Sequence, residues 1–380
     1  MSFSRLAARR ASRAASALQA VQVEKRVGIT AGFTAGRFAK AAPASVRALT
    51  ISYPQFKSDS VVNEDAVPVS VYDPATKNAG AVHTTIPVKP EDREKPRPLA
   101  PPTNEMENLS VLDDDTYQKL PATLKSMTCK DKVIIVTGGA RGLGNYMARA
   151  CAEAGAKAIA LFDANQELGD ASAAELHKKT GLPVTFFKVD VRDYGAINAA
   201  IASVSELHGV PDVLINSAGI ADSNIPAETY DAALFRRLID INLTGSFLMS
   251  QAVGRAMIAA NKKGSIILVA SMSGTAVNYP QEQSAYNASK AGVTQLGKSL
   301  AAEWAKYNIR VNMISPGYMD TALNKVPALD AQKTIWTSLT PQARLGNVDE
   351  LNGLCVFLAS DSSSFMTGAN VIIDGGYTLY

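Results

Sequence analysis

From Thr128 onward, short runs of apolar and often β-branched residues alternate with longer runs rich in alanine. The short runs are apolar almost throughout, so the strands that they predict must be covered on both faces. Such strands form a parallel sheet, and the longer runs supply the helices that cross over it. Residues 128–380 are therefore predicted to fold as a single α/β domain, doubly wound, with about seven parallel strands.

The alternation also assigns the elements of this domain. Strands are predicted at Val133–Val136, Ala158–Phe162, Val184–Val189, Val213–Ile215, Ser265–Ala270, Arg310–Ile314 and Asn370–Ile373. Helices are predicted at Leu143–Ala154, Asn165–Lys179, Tyr194–His208, Asp231–Ala260, Tyr286–Tyr307 and Asp349–Ser360. Right-handed crossovers place the carboxyl ends of the strands at one edge of the sheet, where ligands bind in folds of this kind.

The first 50 residues have a composition of their own. They hold nine Lys or Arg and one acid, Glu24; the whole chain carries +3, so the remaining 330 residues carry −5. Arg5, Arg9 and Arg13 share one helical face. This Arg-rich, Ser-rich start predicts a mitochondrial transit peptide over residues 1–50 and a mature protein in the mitochondrial matrix, with a basic disordered arm as the alternative. The acidic remainder argues against a nucleic-acid partner.

Residues 51–127 show little periodicity, and six of the 18 prolines lie between Pro87 and Pro102. Proline fixes φ and removes a backbone donor, so this segment is predicted to be an extended, Pro-rich linker. Together with residues 1–50 it would form a disordered N-terminal extension. Within it, Val111–Leu120 could form a short docking helix.

The rest of the composition disfavours several kinds of site. No run approaches the roughly 18 apolar residues that a membrane-spanning helix needs. The three cysteines, Cys129, Cys151 and Cys355, are scattered, and the three histidines lie apart without metal-ligand spacing. We therefore predict no membrane span and no bound metal.

The first ligand signal is the glycine-rich segment Thr137–Gly144, which follows the first predicted strand. Its glycines would let the backbone approach a pyrophosphate, and the next helix would offer unpaired N–H groups. Asp163, at the end of the second strand, would accept the hydroxyls of an adenosine ribose and repel a 2′-phosphate. Arg141, inside the turn, could instead pair with a 2′-phosphate. NAD is therefore the predicted cofactor, with NADP as the alternative.

The second signal is the pair Tyr286 and Lys290, which stand four residues apart and share one helical face. A free phenol has a pKa near 10, too high for a base at neutral pH. An adjacent ammonium, together with the positive ring of an oxidised nicotinamide, would bring the pKa of Tyr286 to about 7. Ser271, at the end of a strand, could donate to a substrate oxygen. This set predicts proton transfer coupled to hydride transfer.

Further segments extend the two signals. They are Asp190-Val191, Asn216-Ser217-Ala218-Gly219, Asn242, Ser271 with Gly274, and Pro316-Gly317 with Thr321. In this order, with the glycine turn and the Tyr286/Lys290 pair, they resemble the motifs of the short-chain dehydrogenase/reductase family from about Thr128 to Tyr380. Ser217 departs from that pattern, since the family has a second Asn there.

The resemblance implies a Rossmann domain with a nicotinamide cofactor. The implied catalytic residues are Asn242, Ser271, Tyr286 and Lys290. Together with the residues argued above, the predicted cofactor contacts are Gly138, Arg141, Gly142, Leu143, Gly144, Asp163, Asp190, Val191, Asn216, Ala218, Gly219, Tyr286, Lys290, Pro316, Gly317 and Thr321.

Polar side chains crowd the segment Asn278–Ser284, just before the catalytic tyrosine. Buried amides favour substrates that carry hydroxyl partners. The segment is similar to that of the fungal polyol dehydrogenases and ketose reductases of the family. This implies a polyol and its ketose as substrates, with D-arabinitol and D-ribulose as the expected pair. Ser273, Gln281 and Gln283 are the candidate substrate contacts.

Two other functions stay open. A mitochondrial 3-oxoacyl thioester reductase on the same scaffold would need a cationic rim for an acyl-carrier partner. A non-catalytic cofactor-binding scaffold would not need the catalytic set. The long helices predicted at Asp231–Ala260 and Tyr286–Tyr307 imply, by analogy with similar enzymes, a homotetramer or a homodimer.

Overall fold

The computed structural model describes residues 66–71, 82–87, 109–222, 224–321 and 329–379. Its strands are β1 (Ala66–Val71), β2 (Val82–Pro87), β3 (Val133–Thr137), β4 (Ala158–Asp163), β5 (Val184–Lys188), β6 (Val213–Asn216), β7 (Gly264–Val269), β8 (Ile309–Pro316) and β9 (Asn370–Ile373). β1 and β2 form an antiparallel pair, which the sequence analysis does not predict. The other seven strands form one parallel sheet in the order β5-β4-β3-β6-β7-β8-β9, which confirms the predicted doubly wound α/β fold.

The described helices flank this sheet and connect its strands. They are α1 (Asp114–Lys119), α2 (Ala122–Ser126), α3 (Gly142–Glu153), α4 (Gln166–Thr180), α5 (Tyr194–His208), α6 (Ala232–Ile239), α7 (Gly245–Ala259), α8 (Ser284–Trp304), α9 (Asp330–Leu339) and α10 (Asn352–Ala359). The order of the strands reverses between β3 and β6, which leaves a crevice at their carboxyl ends. In that sheet, Thr137 at the end of β3 stands opposite Asn216 at the end of β6.

The core lies on both faces of the seven-stranded sheet. Along β3, Val133 and Ile135 pack against α5, α7 and α8, whereas Ile134 and Val136 pack against α3, α4 and α10. Each of these four side chains is at most 2% exposed. Burial on both faces is the physical reason why this strand is apolar from Val133 to Val136.

The predicted helix Asp231–Ala260 is interrupted in the structure. A π-helical turn, Asp240–Thr244, separates α6 from α7. Inside this turn, the side-chain amide of the buried Asn242 makes hydrogen bonds with the backbone of Ile220. The bulge in the helix therefore coincides with a side chain that binds the loop after β6. The hydrophobic pattern continues through the bulge, and the pattern alone therefore predicts one helix.

The segment that precedes β3 packs against the domain formed by the seven-stranded sheet and its helices. The helix predicted within Val111–Leu120 is present as α1. The backbone N–H of Leu112 donates to the carbonyl oxygen of Glu153 (3.0 Å), and the hydroxyls of Ser126 and Ser362 lie 2.7 Å apart. Leu109 packs against the same core as α3. Among the described residues, no helix is both long and apolar enough to cross a membrane.

The three cysteines are scattered in sequence but meet in this core. Cys129, Cys151 and Cys355 are each 0% exposed, and Cys151 contacts both of the others. The hydrogen bond with Cys151, followed by burial, raises the pKa of the Cys129 thiol well above its usual value. Protonated thiols in such surroundings behave as small hydrophobic side chains.

Candidate active site

The glycine turn joins β3 to α3 at the carboxyl edge of the sheet. Gly138 has a φ of +62°, and a Cβ atom there would lie 3.0 Å from the Cα atom of Ala218. A Cβ atom on Gly144 would lie 2.5 Å from the carbonyl oxygen of Gly138. Both positions therefore require glycine, and the turn lies close against the loop that follows β6.

Thr137 ties this turn to β6. Its hydroxyl donates to Oδ1 of Asn216 (2.9 Å) and accepts the N–H groups of Ser217 and Ala218, both at 3.0 Å. The amide of Asn216 donates in turn to the carbonyl oxygen of Ser246 on α7 (3.0 Å). Two predicted cofactor contacts, Asn216 and Ala218, are thus held in the wall of the crevice.

The first turn of α3 fits an anionic group. Arg141 stands at the N-cap with an extended backbone and an exposed side chain that makes no capping hydrogen bond. Gly142 has a φ of +63°, and no atom lies within 4 Å of a Cβ position there. Leu143 turns toward the core. Unpaired N–H groups and the positive end of the helix dipole favour a pyrophosphate at this cradle.

Asp163 and Asp190 follow on neighbouring strands, and they differ in their partners. The carboxylate of Asp163 accepts the N–H of Asn165 (3.0 Å) and that of Ala140 in the glycine turn (3.3 Å), so it faces the cradle. Arg192 donates to both carboxylate oxygens of Asp190 and holds the pKa of Asp190 below its usual value. Asp163 is therefore the more available acceptor for a ribose. The neighbouring Val191 is buried.

Asn242 anchors the loop after β6 to α8. Its amide nitrogen donates to the carbonyl oxygen of Ile220 (2.9 Å) and to the hydroxyl of Ser289 (3.1 Å), and its oxygen accepts the N–H of Ile220 (2.9 Å). A Cβ atom on Gly219 would lie 3.2 Å from that oxygen and 3.7 Å from Nζ of Lys290. Gly219 therefore brings the loop against two of the predicted catalytic residues.

Lys290 is a buried cation, 7% exposed. Its Nζ atom donates to the carbonyl oxygen of Val269 (2.8 Å) and lies 5.6 Å from the centre of the Tyr286 ring. Burial lowers the pKa of Lys290 to about 8. The helical spacing of four residues thus places the amine beside the phenol, as the sequence predicts.

Burial acts on Tyr286 in the direction opposite to the one expected. It raises the pKa of Tyr286, and the hydrogen bond from Ser271 only partly offsets this effect. The expectation that Lys290 would acidify the phenol is therefore not met by the protein groups alone. Burial disfavours both charged forms, the phenolate and the ammonium.

Ser271 stands at the end of β7, and its hydroxyl lies 3.0 Å from that of Ser273 and accepts the N–H of Ser273 (3.2 Å). Beyond Ser273 lies a buried polar cluster that belongs to the loop before α8. Gln283 approaches the hydroxyl of Ser273 (3.4 Å) and donates to Oδ1 of Asn278 (2.8 Å). We refer to Ser273, Asn278, Gln281, Gln283 and Tyr318 as the polar wall.

Tyr318 is a member of this wall that the sequence analysis does not assign to the site. Its hydroxyl accepts a hydrogen bond from Asn278 (2.9 Å) and donates to Gln281 (2.6 Å). Its ring stacks on that of Trp336 in α9, a helix that the sequence analysis misses. The one available signal is that Tyr318 directly follows Pro316-Gly317 at the end of a strand.

The predicted cofactor contacts after β8 lie at the same edge. The N–H of Gly317 donates to the carbonyl oxygen of Ile373 (2.8 Å), and a Cβ atom on Gly317 would lie 2.6 Å from the Cα atom of Asp374. Pro316 ends β8, and the N–H of Thr321 donates to the carbonyl oxygen of Met319 (2.8 Å). Within the part of the chain that the structure describes, no three His, Cys, Asp or Glu side chains are arranged so that they could hold a metal ion.

Comparisons with known proteins agree with this geometry. A family model described as enoyl-(acyl carrier protein) reductase matches residues 138–378. A D-arabinitol 2-dehydrogenase (ribulose-forming) from Candida tropicalis is 42% identical over 281 residues, which are 70% of this chain and 99% of that protein. The chain belongs to the short-chain dehydrogenase/reductase family.

Solved structures of this family superpose on the chain. A gluconate 5-dehydrogenase from Burkholderia cenocepacia J2315, in complex with NADP and tartrate, is 34% identical with a TM-score of 0.64, and the match covers 68% of this chain and 99% of that one. A xylitol dehydrogenase bound to NAD+ is 35% identical with a TM-score of 0.61, and the match covers 65% and 99%. One of these two relatives was thus solved with NADP and the other with NAD+.

Proposed function

We propose that this chain is an NAD-linked polyol dehydrogenase that interconverts D-arabinitol and D-ribulose. The observation that carries the proposal is the unbroken polar connection between Ser271 and the polar wall. A substrate held at Ser271 would meet polar side chains on that side, among them the half-buried Gln281. Such a surface favours a molecule with several hydroxyl groups and disfavours an acyl chain.

The chain's own residues supply the proton chemistry. Tyr286 would take the proton of the secondary hydroxyl, and Ser271 would donate to the substrate oxygen as its charge changes. Lys290 would hold the ribose of the cofactor and favour the phenolate by its charge. A bound nicotinamide dinucleotide would supply the hydride acceptor, and the glycine cradle fits its pyrophosphate.

Asp163 supports NAD as the preferred cofactor. Its carboxylate faces the glycine turn, where a 2′-phosphate at about 4 Å would meet a repulsion of roughly 4 kcal/mol at an effective dielectric constant of 20. Arg141 is exposed beside it and supports some use of NADP. The preference for NAD therefore depends on which of the two side chains dominates.

A substrate panel tests the proposed activity. The full chain is assayed with pentitols, hexitols and ketoses, with acetoacetyl thioesters as the rival substrates, each with NAD and NADP. We expect D-arabinitol with NAD to give the highest kcat/KM. Replacing Tyr286 by Phe should lower kcat about 1,000-fold, whereas Tyr307→Phe, at the opposite edge of the sheet, should not.

Two outcomes decide against the proposal. Turnover of the thioesters without turnover of any polyol would support the 3-oxoacyl thioester reductase. A full biological activity of the Tyr286→Phe variant would support a non-catalytic scaffold.

Two further proposals concern the setting of the enzyme. Residues 1–50 would direct it to the mitochondrial matrix. A fluorescent protein fused to them should enter mitochondria, and it should fail to do so after Arg5, Arg9 and Arg13 are replaced by Glu.

The second proposal is that the protein is a homotetramer or a homodimer. It is supported by the apolar side chains of Leu234, Phe235 and Phe247 on α6 and α7, which are between 37% and 41% exposed.

A further inference from the structure

The ring of Tyr318 is held by two other parts of the chain. It stacks on Trp336, with ring centres 4.3 Å apart and 6° between the planes. The ring of Tyr377, near the C-terminus, meets it at an angle of 83° with the centres 5.4 Å apart. Trp336 is itself only 1% exposed. The phenol of Tyr318 is therefore fixed in position before any substrate binds.

The hydroxyl of Tyr318 has one hydrogen, and a hydrogen bond within the protein already uses it. It is donated to Oε1 of Gln281 (2.6 Å), while the same hydroxyl accepts from Nδ2 of Asn278 (2.9 Å). Burial raises the pKa of Tyr318, so the donor persists at the pH values where Lys290 titrates. A charge on Tyr286 adds to that rise, so the two phenols lie within electrostatic range of each other.

The two glutamines of the polar wall differ in whether their NH2 groups are free to donate a hydrogen bond to a ligand. Both hydrogens of the Gln283 amide are used, on Oδ1 of Asn278 (2.8 Å) and Oδ1 of Asn287 (2.9 Å). Gln281 has its oxygen held by Tyr318, and no described residue accepts a hydrogen bond from its NH2 group. Gln281 is also half-buried, whereas Gln283 is buried. Of these two glutamines, Gln281 is therefore the one with hydrogen-bond donors left for a ligand.

We propose that Tyr318 is a positioning residue for substrate recognition, which holds the Gln281 amide so that its NH2 group donates to a hydroxyl oxygen of the polyol away from the carbon that is oxidised. Gln283 supports the loop and does not contact the substrate. This inference rests on the proposed polyol dehydrogenase activity and assigns the residues that select for additional hydroxyl groups.

The test uses the full chain and the variants Tyr318→Phe, Gln281→Leu and the double variant. Phe keeps the ring stack and removes only the hydroxyl, and Tyr307→Phe is the matched control. Each protein is assayed with the best polyol and with 2,3-butanediol, which lacks the remote hydroxyls. We expect each single variant to raise the KM for the polyol about 10-fold. The kcat, the KM for NAD and the activity on butanediol should change less than about twofold.

The double variant separates positioning from independent effects. If Tyr318 acts through Gln281, the double variant should be no worse than Gln281→Leu alone. Equal losses on the polyol and on butanediol, or effects that multiply in the double variant, would overturn the inference. A wild-type protein that oxidises no polyol would overturn the proposed function itself, and this is visible without any variant.

Discussion

At the residue scale, burial decides the pKa values of Tyr286 and Lys290, the proposed catalytic pair. Burial raises the pKa of Tyr286 and lowers that of Lys290 to about 8, so both groups are driven toward their neutral forms. The ammonium can favour the phenolate only while Lys290 is protonated. In the proposed mechanism, the acidity of Tyr286 would therefore depend on the positive ring of an oxidised nicotinamide as well as on the amine.

The buried amine also predicts how stability depends on pH. The pKa of Lys290 is about 8 in the folded chain and about 10.4 when unfolded, so the unfolded chain binds more protons between these values. Lys290 should therefore add a rise of up to about 3 kcal/mol to the free energy of unfolding across this window. The raised pKa values of Cys129 and Cys151 oppose this rise, because those thiols lose their protons earlier in the unfolded chain. Urea titrations of the cofactor-free wild type and of Lys290→Met from pH 7 to 10.5 measure the Lys290 contribution as the difference between the two profiles.

A Lys290→Met variant should lose this rise, because it has no proton to gain on unfolding. It should also be more stable than the wild type at pH 7, since no buried charge remains. Lys306→Met, at an exposed lysine, is the control and should keep the wild-type profile. Parallel profiles for the wild type and Lys290→Met would show that this amine does not set the pH dependence.

At the element scale, the strands of the main sheet could be predicted because burial on both faces leaves an unambiguous apolar pattern. The predicted Asn370–Ile373 matches β9 at both ends, and β3, β4, β5 and β6 each begin at the predicted residue. The remaining strand ends differ by one or two residues. The catalytic face of α8 followed from the spacing of Tyr286 and Lys290. These features depend on local sequence alone.

Other elements depend on contacts that the local sequence does not contain. The π turn at Asp240–Thr244 arises from the bond between Asn242 and Ile220, which is distant in sequence. The role of Tyr318 arises from its contacts with Trp336 and Tyr377, which come from two other segments of the chain. The helix α9 lacks a capping side chain at its start, so no local signal marked it.

The contact between β3 and β6 gives a prediction at this scale. Replacing Thr137 by Val removes a hydroxyl that makes three hydrogen bonds and leaves two backbone N–H groups and Oδ1 of Asn216 without it. We expect a loss of about 3 kcal/mol in the free energy of unfolding and weaker binding of NAD. Urea denaturation and NAD titration measure the two effects.

Thr137→Ser keeps the hydroxyl and serves as the matched control. It should lose less than about 1 kcal/mol, through the missing methyl group alone. If Ser and Val destabilise the chain equally, the methyl group rather than the hydrogen bonds joins the two strands.

At the scale of the whole molecule, the docked segment before β3 is part of the folded unit. Removing residues 1–127 deletes α1, α2 and the contacts of Leu109 and Leu112, whereas removing residues 1–108 keeps them. We expect the shorter protein to be less stable than the longer one by about 3 kcal/mol, through lost apolar burial and backbone bonds. Thermal denaturation of the two proteins measures the difference, and equal melting temperatures would contradict it.

The three buried cysteines, Cys129, Cys151 and Cys355, can report on the opening of the fold through their reaction with a thiol reagent. Intact molecules should resist a maleimide reagent, because all three thiols are fully buried. Each opening of the core would expose all three together, so the rate of labelling follows the opening of the fold. An introduced surface cysteine could then carry a dye at a single position, with no native sulfur replaced.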